Sequence, residues 1–151
     1  MTGGMTGAPP VSRRSGRALN LLLVEDDDLD VMNVQRAFEE GHITNPMWVA
    51  GDGVEALELL RAGAVPDERR LVLLDLNMPR MSGIEFLREL RGDPALRGTP
   101  VVVLTTSDDE RDRVEAYDLN VAGYLLKPVT FGSFVELMAL LNRYWTVVEM
   151  P

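Results

Sequence analysis

Continuous runs of apolar residues recur along the chain and alternate with segments in which apolar residues repeat every three or four positions. Runs without polar interruptions are typical of strands that are covered on both faces, as in a parallel sheet. We therefore predict strands at residues 20–25, 47–50, 71–75, 101–105 and 123–126.

The segments between and after these strands have the periodicity of amphipathic helices. Asp28 is the predicted N-cap of the first helix, and Gly41 is its predicted stop. The inward side of this helix is predicted to consist of Val31, Val34, Gln35 and Phe38. Further helices are predicted to begin near residues 53, 83 and 108 and before residue 134. Strict alternation of five strands and five helices predicts one α/β domain with a doubly wound parallel sheet.

The composition narrows the class of protein. The chain has 151 residues, of which 46% are apolar and 26% charged, as in a soluble globular domain. Its net charge of −9 argues against nucleic acid or a membrane surface as a partner, because both attract clustered Lys and Arg. The absence of cysteine excludes disulfides and thiolate metal sites. No secretory signal or spanning segment is recognisable, so we expect a cytoplasmic protein.

Polar side chains follow the predicted strands at their carboxyl ends. In chain order these residues are Glu25, Asp26, Asp75, Thr105 and Lys127. Because the carboxyl ends of parallel strands meet at one edge of the sheet, we expect these side chains to surround one point. Acidic residues also cluster in solvated loops without any function, so the acids alone would not decide the matter. The repetition at four strand ends favours a site.

Three carboxylates at one point would repel one another, so at least one should have a raised pKa unless a cation neutralises them. A hard divalent cation such as Mg²⁺, or Mn²⁺, suits such oxygen ligands. The predicted ligands are Asp26 and Asp75 directly, Glu25 through a water molecule and Asn77 through its main-chain carbonyl. No residue is predicted to bind an organic cofactor.

Asp75 is also the candidate nucleophile, because a carboxylate can form an aspartyl phosphate. Lys127 would bring a positive charge to the phosphoryl oxygens, and Thr105 would bring a hydroxyl donor. Judged alone, Lys127 could equally be a solvent-facing lysine, and Thr105 could reflect only the preference of threonine for strands.

Four segments together resemble the receiver domain of two-component response regulators. They are residues 21–26 (LLLVED), 73–83 (LLDLNMPRMSG), 102–106 (VVLTT) and 122–128 (AGYLLKP). The resemblance implies a flavodoxin-like strand order 2-1-3-4-5 and a histidine kinase that phosphorylates Asp75. It implies Mg²⁺ at Asp26, Asp75 and the Asn77 carbonyl, phosphoryl contacts from Thr105 and Lys127, and a switch formed by Thr105 and a rotating Tyr124. It also implies a cis peptide bond before Pro128.

Further features resemble the stand-alone regulators that partner phytochromes. They are Glu25 in place of a commoner Asp, Thr106 and Ser107 after Thr105, and the final segment 143–151. The resemblance implies a phytochrome-type kinase as the partner. It also favours a homodimer through helix four, strand five, helix five and the C-terminal segment. The alternative is that this segment folds back on its own domain.

We accordingly predict a disordered N-terminal tail at residues 1–17, a receiver domain at 18–142 and a C-terminal extension at 143–151 that takes part in the dimer interface. The function we expect is that of a single-domain response regulator, not an enzyme, with only slow self-dephosphorylation. Two alternatives remain: a metal-dependent phosphatase with an aspartate nucleophile, and an adaptor that acts without phosphorylation. The phosphatase usually needs a second acid two residues after its nucleophile, where this chain has Asn77.

Overall fold

The computed structural model describes residues 18–150, which form five strands and five helices in alternation. The predicted tail at residues 1–17 lies outside the described residues. In chain order the elements are β1 (Asn20–Val24), α1 (Asp28–Glu40), β2 (Met47–Ala50), α2 (Gly53–Arg61), β3 (Arg70–Leu74), α3 (Gly83–Gly92), β4 (Val101–Thr105), α4 (Glu110–Asp118), β5 (Gly123–Leu126) and α5 (Phe131–Val147). The predicted alternation is therefore confirmed.

The five strands form one parallel sheet in the order β2-β1-β3-β4-β5, as predicted. Successive side chains of a strand point to opposite faces, so each strand contributes to two cores. Leu22 and Val24 lie in the core beneath α2, α3 and α4, whereas Leu21 and Leu23 lie in the core beneath α1 and α5. Every residue of β3 and β4 is buried, which explains why the two strands are apolar except at Arg70 and Thr105.

Helix α1 differs from its prediction in two details. Its N-cap is Asp27, whose carboxylate accepts hydrogen bonds from the main chain of Leu29 and Asp30. Asp28, the predicted cap, is the first helical residue instead, because the carboxylate of Asp27 reaches the free N–H groups of the first turn. The predicted inward position of Gln35 is also wrong, since this side chain is exposed.

The geometry of a helix explains the second difference. Val34, Ala37 and Phe38 are buried, and their spacing of three and four residues places them on one face. A residue next to Val34 in sequence points about 100° away from it around the helix axis. The inward stripe therefore includes Ala37. Alanine is small and gives only a weak apolar signal, so the sequence pattern did not indicate this position.

The peptide bond before Pro128 also differs from the expectation. No cis peptide bond occurs between residues 18 and 150, so this bond is trans. The trans form is the more stable one even before proline. None of the helices between residues 18 and 150 combines the length and the apolar character of a transmembrane span.

Helix α5 continues past residue 142, where we predicted the domain boundary. Trp145 on its last turn is only 7% exposed and belongs to the core beneath α1 and α5. The guanidinium of Arg69 donates hydrogen bonds to the carbonyls of Trp145 and Val148. Carbonyls at the end of a helix have no partner within the helix, so Arg69 caps α5. Part of the C-terminal segment thus folds back on its own domain.

Helix α3 begins in close contact with the chain that follows β3. The main-chain N–H of Gly83 donates to the carbonyl of Leu76 over 3.0 Å. A Cβ atom at position 83 would lie 2.6 Å from the carbonyl oxygen of Asp75 and 2.7 Å from the Cα of Leu76. These are main-chain atoms that cannot rotate away, so only glycine allows α3 to start there.

We expect Gly83→Ala to destabilise the protein by about 1–3 kcal/mol, because the added methyl group forces main-chain atoms apart. Gly92→Ala is the matched control, since a Cβ at the other end of α3 meets nothing within 4 Å. Alanine is the better helix former, so the control should be neutral or more stable by up to about 1 kcal/mol. Urea unfolding of both variants measures the difference, and equal midpoints would contradict the close approach.

Candidate functional site

The carboxyl edge of the sheet brings the predicted polar residues together. Glu25 and Asp26 follow β1, Asp75 follows β3, Thr105 ends β4 and Lys127 follows β5. Since β1, β3, β4 and β5 are successive neighbours in the sheet, these positions line one edge.

Asp75 lies at the centre of the group and is only 6% exposed. The hydroxyl of Thr105 donates a hydrogen bond of 2.7 Å to its Oδ1 atom. The ammonium of Lys127 lies 3.9 Å from its Oδ2 atom. The main-chain N–H of Lys127 donates to the carbonyl of Thr105 over 2.9 Å, which holds the two residues side by side. Asp75 thus has a hydroxyl on one oxygen and a positive charge near the other.

Lys127 is bound more tightly to two other carboxylates. Its Nζ atom donates to Oε1 of Glu25 and to Oδ2 of Asp30, each over 2.7 Å. Glu25 was among the predicted site residues, but Asp30 was not. Asp30 lies in the first turn of α1 beyond a run of acids, and no pattern distinguishes it from Asp27 or Asp28. Its contact with Lys127 is visible only in three dimensions.

The surroundings of Glu25 and Lys127 shift the pKa values of both side chains. Burial raises the pKa of Glu25 to about 7; the hydrogen bond from Lys127 lowers it only in part, and the charge of Asp75 adds to the rise. Burial acts against the positive charge of Lys127, but the hydrogen bonds to Asp30 and Glu25 outweigh it and raise the pKa of the ammonium. The lysine is therefore charged at neutral pH. The raised carboxyl pKa expected from the sequence is present, although its largest cause is burial instead of repulsion.

The acidic group could hold a metal ion. Carboxylate oxygens of Glu25, Asp26 and Asp75 all lie within 4.8 Å of one another. Asp26 is exposed whereas Glu25 and Asp75 are buried, so the group opens to solvent on one side. This set of hard oxygen donors fits a divalent cation such as Mg²⁺ or Mn²⁺. Asn77, the other predicted ligand, lies in the loop between β3 and α3 and is exposed.

A chain of hydrogen bonds leads from Asp75 to Tyr124. The hydroxyl oxygen of Thr105 accepts from the main-chain N–H of Ser107 over 3.2 Å. The hydroxyl of Tyr124 donates to the carbonyl of Ser107 over 2.9 Å. The hydroxyl of Ser107 donates in turn to Asp112 on α4 over 2.7 Å. The sequence indicated Thr105 and Tyr124, but it did not indicate that Ser107 joins them.

Comparison with known proteins agrees with this geometry. The family described as the response regulator receiver domain matches residues 21–139. The response regulator Rcp1 from Synechocystis is 35% identical, with 87% of this chain and 92% of Rcp1 covered. The probable methanogenesis regulatory protein FilR2 from Methanothrix harundinacea is 39% identical, with 83% of this chain and 82% of FilR2 covered.

Solved structures show the same similarity. The phosphorylated cyanobacterial phytochrome response regulator RcpA is 34% identical, with a TM-score of 0.80 and coverage of 89% of this chain and 99% of RcpA. The Mn²⁺-bound form of Rcp1 gives a TM-score of 0.75 over 87% of this chain and 97% of that chain, at 35% identity. The family model matches residues 21–139 of this chain, and the sheet has the strand order predicted for a receiver domain. The chain therefore belongs to the response regulator receiver domain family.

Proposed function

We propose that this receiver domain is a phosphorylation switch that accepts a phosphoryl group from a histidine kinase on Asp75 in a Mg²⁺-dependent reaction. The observation that carries this proposal is the position of the Asp75 carboxylate between the Thr105 hydroxyl and the Lys127 ammonium, beside two further carboxylates. Such a site attracts both a divalent cation and a phosphoryl group.

The chemistry is a transfer between a nitrogen and an oxygen atom. An oxygen of Asp75 would form a bond to phosphorus as the bond from phosphorus to the kinase imidazole breaks, and the imidazole leaves as the neutral ring after it takes up a proton. A bound Mg²⁺ would neutralise charge on the phosphoryl oxygens. Asp26, Asp75, Glu25 through water and the Asn77 carbonyl are the proposed ligands. The proposed part of Lys127 is to balance the charge of close to −2 that a phosphoryl group carries.

We propose that the chain is not an enzyme. An aspartate-nucleophile phosphatase needs a general acid that protonates the leaving group. The residue two positions after Asp75 is Asn77, whose amide cannot donate a proton in this way. An amide at this position also cannot act as a general base toward water, so hydrolysis of the aspartyl phosphate would be slow and would follow each signalling event.

Incubation with Mg²⁺ and a small acyl phosphate should add one phosphoryl group, which intact mass spectrometry detects. Asp75→Asn should abolish the addition, because the amide is not a nucleophile of comparable strength. Asp118→Asn, on the exposed end of α4, is the matched control and should be phosphorylated like the parent protein. Labelling that persists in Asp75→Asn would contradict the proposal, and no labelling of the parent would favour an adaptor. Rapid turnover of phosphate esters would favour the phosphatase.

We propose that the signal leaves the site through Thr105. Its hydroxyl now contacts Asp75 and also holds the main chain at Ser107. If this hydroxyl turned to a phosphoryl oxygen, Ser107 would lose its acceptor, and the bond from Tyr124 to Ser107 would be disturbed with it. The half-buried Tyr124 would then rotate between two positions of an existing equilibrium.

Thr105→Val tests this coupling, because valine keeps the shape of threonine without its hydroxyl. We expect this variant to bind a phosphoryl mimic such as beryllium fluoride while the ring signals of Tyr124, followed by NMR, shift far less than in the parent. Thr106→Val is the matched control, since the Thr106 side chain is exposed. In this variant the ring signals of Tyr124 should shift as in the parent. An equal Tyr124 response in Thr105→Val would show that the signal takes another route.

The proposed kinase partner is a phytochrome. The similarity to the cyanobacterial phytochrome response regulator RcpA supports this choice. FilR2, a probable methanogenesis regulator, has a slightly higher identity to this chain, but RcpA is covered over 99% of its length and FilR2 over 82%. We propose the cytoplasm as the location. A histidine kinase is phosphorylated with ATP, which is available in the cytoplasm, and the regulator must meet the phosphorylated kinase there.

We further propose a homodimer through α4, β5 and α5. Strand β5 is at the edge of the sheet, and an uncovered edge is open to pairing. Large apolar side chains on the three elements are between 46% and 77% exposed: Val114, Tyr117, Leu126, Leu140, Tyr144 and Val147. A symmetric partner that presents the same surface would cover them.

Leu140→Arg should convert the dimer to a monomer, because it places a charge within the apolar surface. Met32→Arg is the matched control, since this residue on α1 is 54% exposed, compared with 57% for Leu140, and lies outside the surface. Sedimentation equilibrium of the parent and both variants gives the mass. A monomeric parent, or a Leu140→Arg variant that remains dimeric, would contradict the proposed interface.

A further inference from the structure

The loop between β3 and α3 carries Asn77, whose main-chain carbonyl is a proposed metal ligand. Gly83 fixes the base of this loop against Leu76. The tip of the loop, two residues before Ser82, is fixed in a different way. The guanidinium of Arg80 reaches across to Asp52, with both Nε and one terminal nitrogen 2.6 Å from Oδ2 of that carboxylate.

Asp52 is a firm anchor for this contact. It is the N-cap of α2, and its Oδ1 atom accepts a hydrogen bond of 2.9 Å from the main chain of Glu55. Its residue exposure is only 8%, so the carboxylate has little water around it. One oxygen therefore caps the helix and the other binds Arg80. The pKa of Asp52 lies below its usual range because the hydrogen bond from Glu55, and then that from Arg80, stabilise the charged form.

A second contact joins the same two segments. A Cβ atom at Gly53 would lie 2.8 Å from both Cγ and Sδ of Met81. The residue after Arg80 thus packs directly against the first residue of α2. The loop tip rests on the N-terminus of α2 through an ion pair and an apolar contact.

The main chain at Arg80 has a φ of 61°, which is uncommon for a residue other than glycine. Such a conformation costs free energy, and it persists only where surrounding contacts hold it. The ion pair with Asp52 is the contact that the Arg80 side chain supplies.

We propose that Arg80 is a positioning residue for the metal site: its ion pair with Asp52 holds the loop so that the Asn77 carbonyl is available to the cation. This inference rests on the proposed metal-dependent function. Arg80 would not touch the metal, the phosphoryl group or Asp75. It would act through the main chain of the loop, which is tied at its base by Gly83 and at its tip by Arg80.

If Arg80 acted only through its charge, its removal would change metal binding in the opposite direction from the loss of a positioning contact. The guanidinium is a positive charge near a cation site, so its removal should strengthen binding if only the field mattered. Loss of a positioning contact should weaken binding instead. The sign of the change therefore separates the two effects.

The test measures Mn²⁺ binding by electron paramagnetic resonance and Mg²⁺ binding by calorimetry, on the full chain. Arg80→Asn removes the ion pair while keeping a residue that tolerates positive φ. Asp52→Asn removes it while keeping a good N-cap. We expect each variant to bind Mn²⁺ about 10-fold more weakly than the parent, as is typical when support around a metal ligand is lost. The double variant should be no weaker than either single variant, because both remove the same contact.

Arg61→Asn is the matched control. Arg61 is also a partly exposed arginine that forms an ion pair, with Asp93 at 3.1 Å, but it lies at the far end of α2. This variant should bind Mn²⁺ like the parent. Amide hydrogen exchange gives a second readout, since residues 76–82 should exchange faster in Arg80→Asn than in Arg61→Asn.

Each outcome has a defined meaning. Weaker metal binding with faster exchange in the loop supports the positioning role of Arg80. Unchanged or tighter binding in Arg80→Asn, with a parent protein that binds Mn²⁺, overturns the inference and leaves the proposed function intact. A parent that binds neither cation overturns both. Circular dichroism at each step shows whether a variant has folded. If Arg80→Asn has not, Arg80→Gly replaces it, since glycine also tolerates positive φ and also removes the positive charge. Asp52→Asn removes a negative charge, which would by itself weaken cation binding, so this variant is judged by the exchange rates of residues 76–82.

Discussion

A single ammonium group holds the carboxyl edge of the sheet together. Lys127 donates to Glu25 and Asp30 and lies near Asp75, so one positive charge serves three acids, of which Glu25 and Asp75 are buried. Buried carboxylates without a counter-charge would be costly, and they would neutralise by taking up protons. The raised pKa of Glu25 shows that one lysine does not fully compensate for burial. A site of this kind is suited to binding a further cation.

Much of the fold was accessible from the sequence because the sheet is parallel and covered on both faces. This burial makes β3 and β4 apolar at nearly every position, and the strict alternation of elements leaves few topologies. Details that depend on helix rotation were less accessible. Gln35 occupies a position beside the apolar stripe of α1, and only the direction of its side chain shows that it is exposed.

The candidate site, like the fold, could be predicted only in part from the sequence. Its members could be predicted from the strand ends because the topology of a parallel sheet brings those ends together. The contacts of Asp30, Ser107 and Arg80 could not, since each joins residues that no sequence spacing relates. Arg80 follows Pro79 in a loop, where an arginine is most simply interpreted as solvent-exposed. Hydrogen bonds between loops are set by the final packing, which local patterns do not encode.

The cap that Arg69 provides for α5 has a practical consequence. Arg69 precedes β3, and its guanidinium binds carbonyls at the very end of α5, next to the buried ring of Trp145. A shortened chain that stops before this tryptophan would open a cavity in the core and deprive a buried cation of two acceptors. Truncation of the last residues would therefore report on folding more than on self-association, and fusion partners are better attached beyond the final turn than in place of it.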